Sequence, residues 1–181
     1  MENRTNDEDR AIILSSSFEL EEYLSSTVIL WRLKGSIPPL SPGNLILAMQ
    51  RTNPPKDQES VQAIDHIQSI INLRKAAWEK KIKAELPMRL RQWSSLVDEI
   101  LEYGRIDSSY QYNVRVRVIL TLLLDTVAFP DVKLREKLQK IDERLDTVVS
   151  SDGFIWNPEI EQNFPRERYP FLYLTSKGEG K

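Results

Sequence analysis

The stretch that decides the fold covers residues 57–103 and reads DQESVQAIDHIQSIINLRKAAWEKKIKAELPMRLRQWSSLVDEILEY. Its large apolar side chains recur every three or four residues, with one gap at Arg74 or Lys75. Ile64 and Ile100 are 36 residues and ten turns apart, which is the period of a straight α-helix with one buried stripe. The stripe consists of Ile64, Ile67, Ile71, Trp78, Ile82, Leu86, Leu90, Trp93, Val97 and Ile100. This pattern predicts an all-α protein organised around one long helix.

Pro87 interrupts that helix, because proline lacks the backbone N–H donor and its ring clashes with the carbonyl group one turn earlier. Two structures are compatible with it: two helices joined at Leu86, or one kinked helix. The apolar stripe keeps its phase on both sides of Pro87, which favours the kinked helix. Gly104 is a suitable C-terminal glycine for the element.

The flanking regions predict a single-domain bundle of about five to six helices. Ser41-Pro42 and Asp57 are typical helix starts. An apolar stretch ending at Phe129 predicts the most enclosed helix, and Asp131 would cap the next one. Four flanking helices are predicted. The first covers 18–34 and would end at Gly35, and the second covers 44–51. The third follows Ser108 and Ser109, and the last follows Pro130.

Six of the fifteen aromatic residues lie after Gly153, among prolines and without a helical or strand period. This composition predicts an irregular aromatic C-terminal strap. The strap could dock on its own bundle, which we favour, or in a groove of a second copy. The predicted boundaries are a disordered acidic tail over 1–10, one helical domain over 11–175 and a disordered tail over 176–181.

Composition limits the classes of function. The 181 residues contain no cysteine, so disulfides and thiolate chemistry are excluded. Apolar runs are too short to span a bilayer, and the acidic N-terminus does not resemble a signal peptide. We therefore expect a cytoplasmic protein without a membrane partner.

Catalytic motifs are missing from the sequence: there is no phosphate-binding glycine loop, nucleophile elbow or HExxH motif. His66, the single histidine, could act as a general base beside Asp65, but an exposed helix residue is the favoured interpretation. We expect no metal site and no cofactor.

Asp125 is a carboxylate within a strongly apolar helix, and burial would raise its pKa to a range suited to acid–base chemistry. Two structural alternatives compete with that role. Asp125 could belong to a polar stripe with Arg117 and Thr121, or it could form a buried polar pair with Arg74.

Residues 74–91 form a basic segment with a net charge of +5, whereas residues 1–30 carry −5. A basic stretch next to tryptophans is compatible with phosphate binding in a nucleic acid, although a solvated helix face is the favoured alternative. The candidate anion-binding residues are Arg74, Lys80, Lys81, Lys83, Arg89 and Arg91.

Three functional hypotheses follow. The first is a non-enzymatic interaction or scaffolding protein that binds another protein or a second copy of itself. The second is a nucleic-acid-binding accessory protein that uses the basic segment. The third is a carboxylate-based enzyme with a groove near Asp125.

Overall fold

The computed structural model describes residues 2–34, 38–127 and 132–177. Within them the chain forms seven α-helices and one small antiparallel sheet, so the predicted all-α class is confirmed. The elements in chain order are α1 (Glu2–Ser25), α2 (Pro42–Arg51), α3 (Gln58–Leu73), α4 (Lys75–Tyr103), α5 (Tyr110–Asn113), α6 (Arg115–Thr126), α7 (Val132–Leu145), β1 (Val149–Ser151) and β2 (Leu174–Ser176).

The stretch over 57–103 forms two helices, and the division lies at Arg74 rather than at Pro87. Arg74 closes α3 by donating its N–H to the carbonyl of Ile70 at 2.8 Å, with φ −110° and ψ 31°. The prediction of one continuous helix is therefore wrong, and the position of the break coincides with the gap in the apolar stripe.

Pro87 lies inside α4, so the structure contains one helix there, as the continuous stripe indicates. Both Lys83 and Pro87 are exposed. The carbonyl group that loses its N–H partner can therefore be hydrated by water, which reduces the cost of an internal proline.

The chain divides into two compact units, residues 1–86 and 87–181. The single helical domain over 11–175 stays a prediction. In the first unit α1 packs against α2 and α3. The Ser41 side chain caps α2 by accepting a hydrogen bond from the N–H of Asn44. The Asp57 side chain caps α3 by accepting a hydrogen bond from the N–H of Ser60. Both predicted caps are confirmed.

The first helix differs from its prediction at both ends. It begins at Glu2, so residues 2–10 form its first turns where a disordered tail was expected. Asp9 is buried and lies 3.8 Å from Arg51 Nη1, and Arg10 pairs with Asp57, so tertiary contacts hold this segment.

The same helix ends at Ser25, and residues 26–34 are not helical, although a helix over 18–34 was predicted. Ser26 Oγ donates to the carbonyl of Tyr23, and Trp31 forms an antiparallel bridge with Leu40. Serine side chains compete with the helical hydrogen bonds, and the bridge requires extended backbone. The predicted stop at Gly35 lies outside the described residues.

In the second unit α6 has six buried apolar side chains: Val118, Ile119, Leu120, Leu122, Leu123 and Leu124. It is not the most enclosed helix of the fold as predicted, because α2 is buried over an equal share of its length. The short α5 precedes it, and the two are separated at Val114. The predictions for Phe129, Pro130 and Asp131 lie outside the described residues. In α7, Leu134, Leu138 and Leu145 are buried.

The aromatic strap docks on the second unit of its own chain. Its rings form a series of edge contacts, including Trp156 to Phe164 and Phe164 to Tyr169, each with centroids 5.2 Å apart. The strap begins and ends in the sheet, where β1 pairs with β2. Ser176 belongs to β2 and is buried, so the prediction of a disordered tail from residue 176 is wrong at that position; residues 178–181 lie outside the described residues.

Candidate binding cleft

A cleft of about 220 Å³ opens in the second unit, between the end of α4 and the loop that follows it. Its walls combine apolar, aromatic and charged side chains. The residues that line it are Leu96, Glu99, Ile100, Tyr103, Arg105, Asp107, Ser109 and Tyr110. For comparison, an apolar cavity of roughly 150 Å³ in another protein accommodates benzene, so this cleft is large enough for one apolar side chain.

Helix periodicity produces the first wall. Leu96, Ile100 and Tyr103 are separated by four and three residues, so they share one face of α4 together with Glu99. Ile100 is 5% exposed and forms part of the core, whereas Tyr103 is 70% exposed. The wall therefore changes from an apolar base to an accessible aromatic ring and a carboxylate.

Gly104 turns the chain back over that face. Its φ of +68° lies in the left-handed region, where a side chain would be strained. The glycine ends α4 as the sequence predicted, and its conformation is the reason that the next five residues can form a second wall.

The second wall is fixed by β2. Ser176 Oγ accepts a hydrogen bond from the N–H of Ile106 at 3.0 Å and contacts the carbonyl of Ile106 at 3.2 Å. The Ser176 side chain is almost fully buried. One hydroxyl group thus satisfies both backbone groups of a loop residue and holds the wall in place.

A local turn shapes the rim. The N–H of Ser109 donates to Asp107 Oδ1 at 2.8 Å, and the N–H of Tyr110 donates to the Asp107 carbonyl at 3.1 Å. Hydrogen bonds from Ser109 hold the pKa of the Asp107 carboxyl below its usual range. Asp107 is therefore a carboxylate at neutral pH.

Tyr110 is a buried residue of the cleft lining. Its hydroxyl donates to the carbonyl of Phe171 at 2.9 Å, so it binds the strap while its ring lines the cleft. Burial raises the pKa of the Tyr110 phenol, which stays protonated. This residue acts as a fixed part of the wall.

The rim carries charges that are available to a ligand. Glu99 and Arg105 are exposed, and neither makes a side-chain hydrogen bond with another described residue. An apolar base with a charged rim is an arrangement suited to recognising a side chain and its flanking groups.

Sequence reasoning did not select these residues. Glu99, Arg105 and Asp107 look like ordinary surface charges, and the loop carries no recognisable motif. One signal was present: Leu96, Ile100 and Tyr103 continue an apolar face up to a C-terminal glycine, so a side-chain surface had to lie beneath any loop that turned back there.

The residues of the basic segment are distributed differently from the prediction. Lys81 and Arg89 are buried, at 6% and 5% exposure, so they do not offer charge to a polyanion. Lys80, Lys83 and Arg91 are exposed, and Arg74 donates to Ser25 Oγ at 3.2 Å. The predicted group of six is thus not one accessible basic surface.

Lys81 is a structural residue. Its ammonium group donates to the carbonyl groups of Ser26 and Val28, at 3.0 and 2.6 Å, and lies 4.2 Å from the centre of the Tyr23 ring. Burial lowers the pKa of this ammonium group. Its role is to satisfy backbone carbonyls in the irregular segment after α1.

Glu85 is a further buried charge, and its role was not predicted from the sequence. It is 0% exposed, and its carboxylate accepts hydrogen bonds from Ser41 Oγ and from the N–H of Gly43, both at 2.8 Å. The carboxylate thereby caps the N-terminus of α2, where the helix dipole favours negative charge.

Asp125 is not buried, as an acid–base role or a buried pair with Arg74 would require. Its side chain is 40% exposed and forms an ion pair with Arg168 of the strap. The predicted partner, Arg74, binds Ser25 instead. The strap supplies the counter-charge because it passes over the polar side of α6, and sequence distance gave no indication of that contact.

The alternative of a polar stripe agrees with the observed contacts. Arg117 Nη1 donates to Thr121 Oγ1 at 2.7 Å, and the same guanidinium binds Asp142. Asp142 also accepts a hydrogen bond from Trp93 Nε1 at 2.8 Å. These groups link α4, α6 and α7 within the second unit.

Three further observations concern His66, metal binding and membrane spans. His66 is exposed on α3. In the described part of the chain, Asp, Glu and His residues form no group of three that could hold a metal ion. Over the same residues, no helix has both the length and the apolar character needed to cross a membrane.

Comparison with known proteins adds no relative: the chain matches no family model, no curated protein and no solved structure.

Proposed function

We propose that this protein is a non-enzymatic interaction protein whose second unit binds an apolar side chain of a partner protein in the cleft beside Tyr103. The observation that carries the proposal is the combination of a preformed cleft of about 220 Å³ with a tyrosine ring that is 70% exposed at its edge. Exposed tyrosines next to well-packed pockets are frequent anchor points of protein interfaces.

The construction of the walls supports binding rather than chemistry. Ser176 fixes one wall, Tyr110 is held by its hydrogen bond to the strap, and Asp107 is engaged by the turn that shapes the rim. A cleft whose walls are already held in place loses little conformational entropy when it binds a ligand.

The test is a selection of peptides from a random library against the purified protein, followed by measurement of their affinities by fluorescence anisotropy. Tyr103→Ala should weaken cleft-binding peptides by about 2 kcal/mol, or about thirtyfold, because it removes the accessible ring. The free energy of unfolding of the Tyr103→Ala variant should differ from that of the unchanged protein by less than about 0.5 kcal/mol, since the side chain is exposed.

The matched control is Tyr112→Ala. Tyr112 is a 61% exposed tyrosine in the same unit, and it is not among the residues that line the cleft. This variant should bind the selected peptides as the natural protein does. A selection in which no peptide depends on Tyr103 more than on Tyr112 would refute the proposed function.

A further inference from the structure

Resting on the proposed function, we infer that the side chain bound in the cleft is flanked by lysine or arginine, so that the partner presents an apolar anchor within a basic segment. The inference concerns the chemistry of the partner and follows from the charges around the cleft.

Carboxylates outnumber cations at the rim. The residues that line the cleft include two carboxylates, those of Glu99 and Asp107, and one guanidinium, that of Arg105. Asp98 is the neighbouring carboxylate on α4, and it is already paired with Arg144 at 2.6 Å. A basic partner segment would meet two carboxylates and one guanidinium, so attraction would exceed repulsion, and the opposite holds for an acidic segment.

The C-terminal end of α4 adds to the negative electrostatic potential at the cleft. The helix ends at Tyr103, and the carbonyl groups of its last turn carry the partial negative charge of a helix C-terminus. A basic side chain placed here interacts favourably with those carbonyl groups.

The exposed ring of Tyr103 provides a third contribution. A lysine or arginine placed over the face of a tyrosine is attracted by the ring quadrupole. The unit already contains this interaction elsewhere: the guanidinium of Arg115 lies 4.1 Å from the centre of the Tyr112 ring. The cleft thus offers an apolar base for the anchor, and carboxylates and an aromatic face for the residues next to it.

The composition of the selected peptides tests the inference. Peptides whose binding depends on Tyr103 should be enriched in lysine and arginine within three residues of an apolar anchor, compared with the unselected library. Replacing one such lysine by glutamate in the tightest peptide should weaken binding about three- to tenfold, and this difference should shrink at high salt.

Variants of the rim assign the effect to the cleft. Glu99→Gln should weaken the lysine peptide about threefold, whereas Glu136→Gln, which removes an exposed carboxylate of α7 that does not line the cleft, should leave its affinity unchanged. Tyr103-dependent peptides without this enrichment, or with affinities unchanged by the lysine-to-glutamate replacement, would overturn the inference and leave the proposed function intact. The absence of any Tyr103-dependent peptide would overturn both.

Discussion

Two stretches of α4 carry charged side chains and use them in opposite ways. In the first unit Lys81 and Glu85 turn their charges inward, to the carbonyl groups after α1 and to the start of α2. In the second unit the carboxylate of Glu99 is exposed at the edge of a cleft, together with the uncharged ring of Tyr103. The stretch around Lys81 and Glu85, which has the higher charge density, therefore has a structural role. The stretch around Glu99 and Tyr103 offers the accessible site.

Helix phase explains the difference better than charge density does. Lys81 and Glu85 are four residues apart and lie within one turn of Trp78 and Ile82, on the buried side. A charge in that phase must be paired, because an unpaired buried charge is costly. Glu99 lies next to the buried stripe, on the face of α4 that lines the cleft.

The largest loss of stability is expected when Glu85 is replaced. Glu85→Ala leaves Ser41 Oγ and the N–H of Gly43 without their acceptor, and we expect a loss of about 3 kcal/mol in the free energy of unfolding. Urea unfolding followed by circular dichroism measures this loss. Glu79→Ala is the control on the same helix, and it should change stability by less than about 0.5 kcal/mol. Equal effects of the two variants would contradict the structural role of Glu85.

A second, smaller effect is expected at Lys81. Lys81→Met keeps much of the aliphatic stem but removes the ammonium group, so the carbonyl groups of Ser26 and Val28 lose their donor. We expect a loss of about 2 kcal/mol, less than for Glu85, because these carbonyl groups are only partly buried and water can replace the ammonium group.

The neighbouring lysine supplies the control for this measurement. Lys80 has the same side chain but is exposed, so Lys80→Met should leave the urea midpoint nearly unchanged. If Lys80→Met destabilised the protein as much as Lys81→Met, the basic segment would act through its total charge, and the distinction between buried and exposed lysines would fail.

The features that were predictable from sequence are local ones. The caps at Ser41 and Asp57 and the left-handed Gly104 depend on a few adjacent residues, and the structure confirms all three. The all-α class was predictable for a related reason, since the 3.6-residue period is written along the chain.

The features that were missed depend on distant residues. The end of α1 at Ser25 goes with a lysine more than fifty residues later that binds the carbonyl of Ser26. The pairing of Asp125 with Arg168 requires knowledge of where the strap lies. The cleft is a similar case, because its second wall is held by Ser176, seventy residues beyond Ile106.

Ser176 therefore allows the cleft to be tested without changing any residue that lines it. Ser176→Ala removes the hydroxyl that binds both backbone groups of Ile106, and we expect a loss of about 1 kcal/mol in stability. Ser150→Ala, on the exposed side of the neighbouring strand, is the matched control. The two variants should be compared in urea unfolding and in the affinity for a Tyr103-dependent peptide.

The expected result is a separation of the two variants in binding as well as in stability. Without the hydroxyl the loop gains freedom, so a ligand must order the wall on binding and affinity should fall severalfold, whereas Ser150→Ala should bind normally. Normal binding by Ser176→Ala would mean that the first wall, Leu96 to Tyr103, is sufficient. The site would then be an exposed helix face, and the preformed second wall would contribute to stability alone.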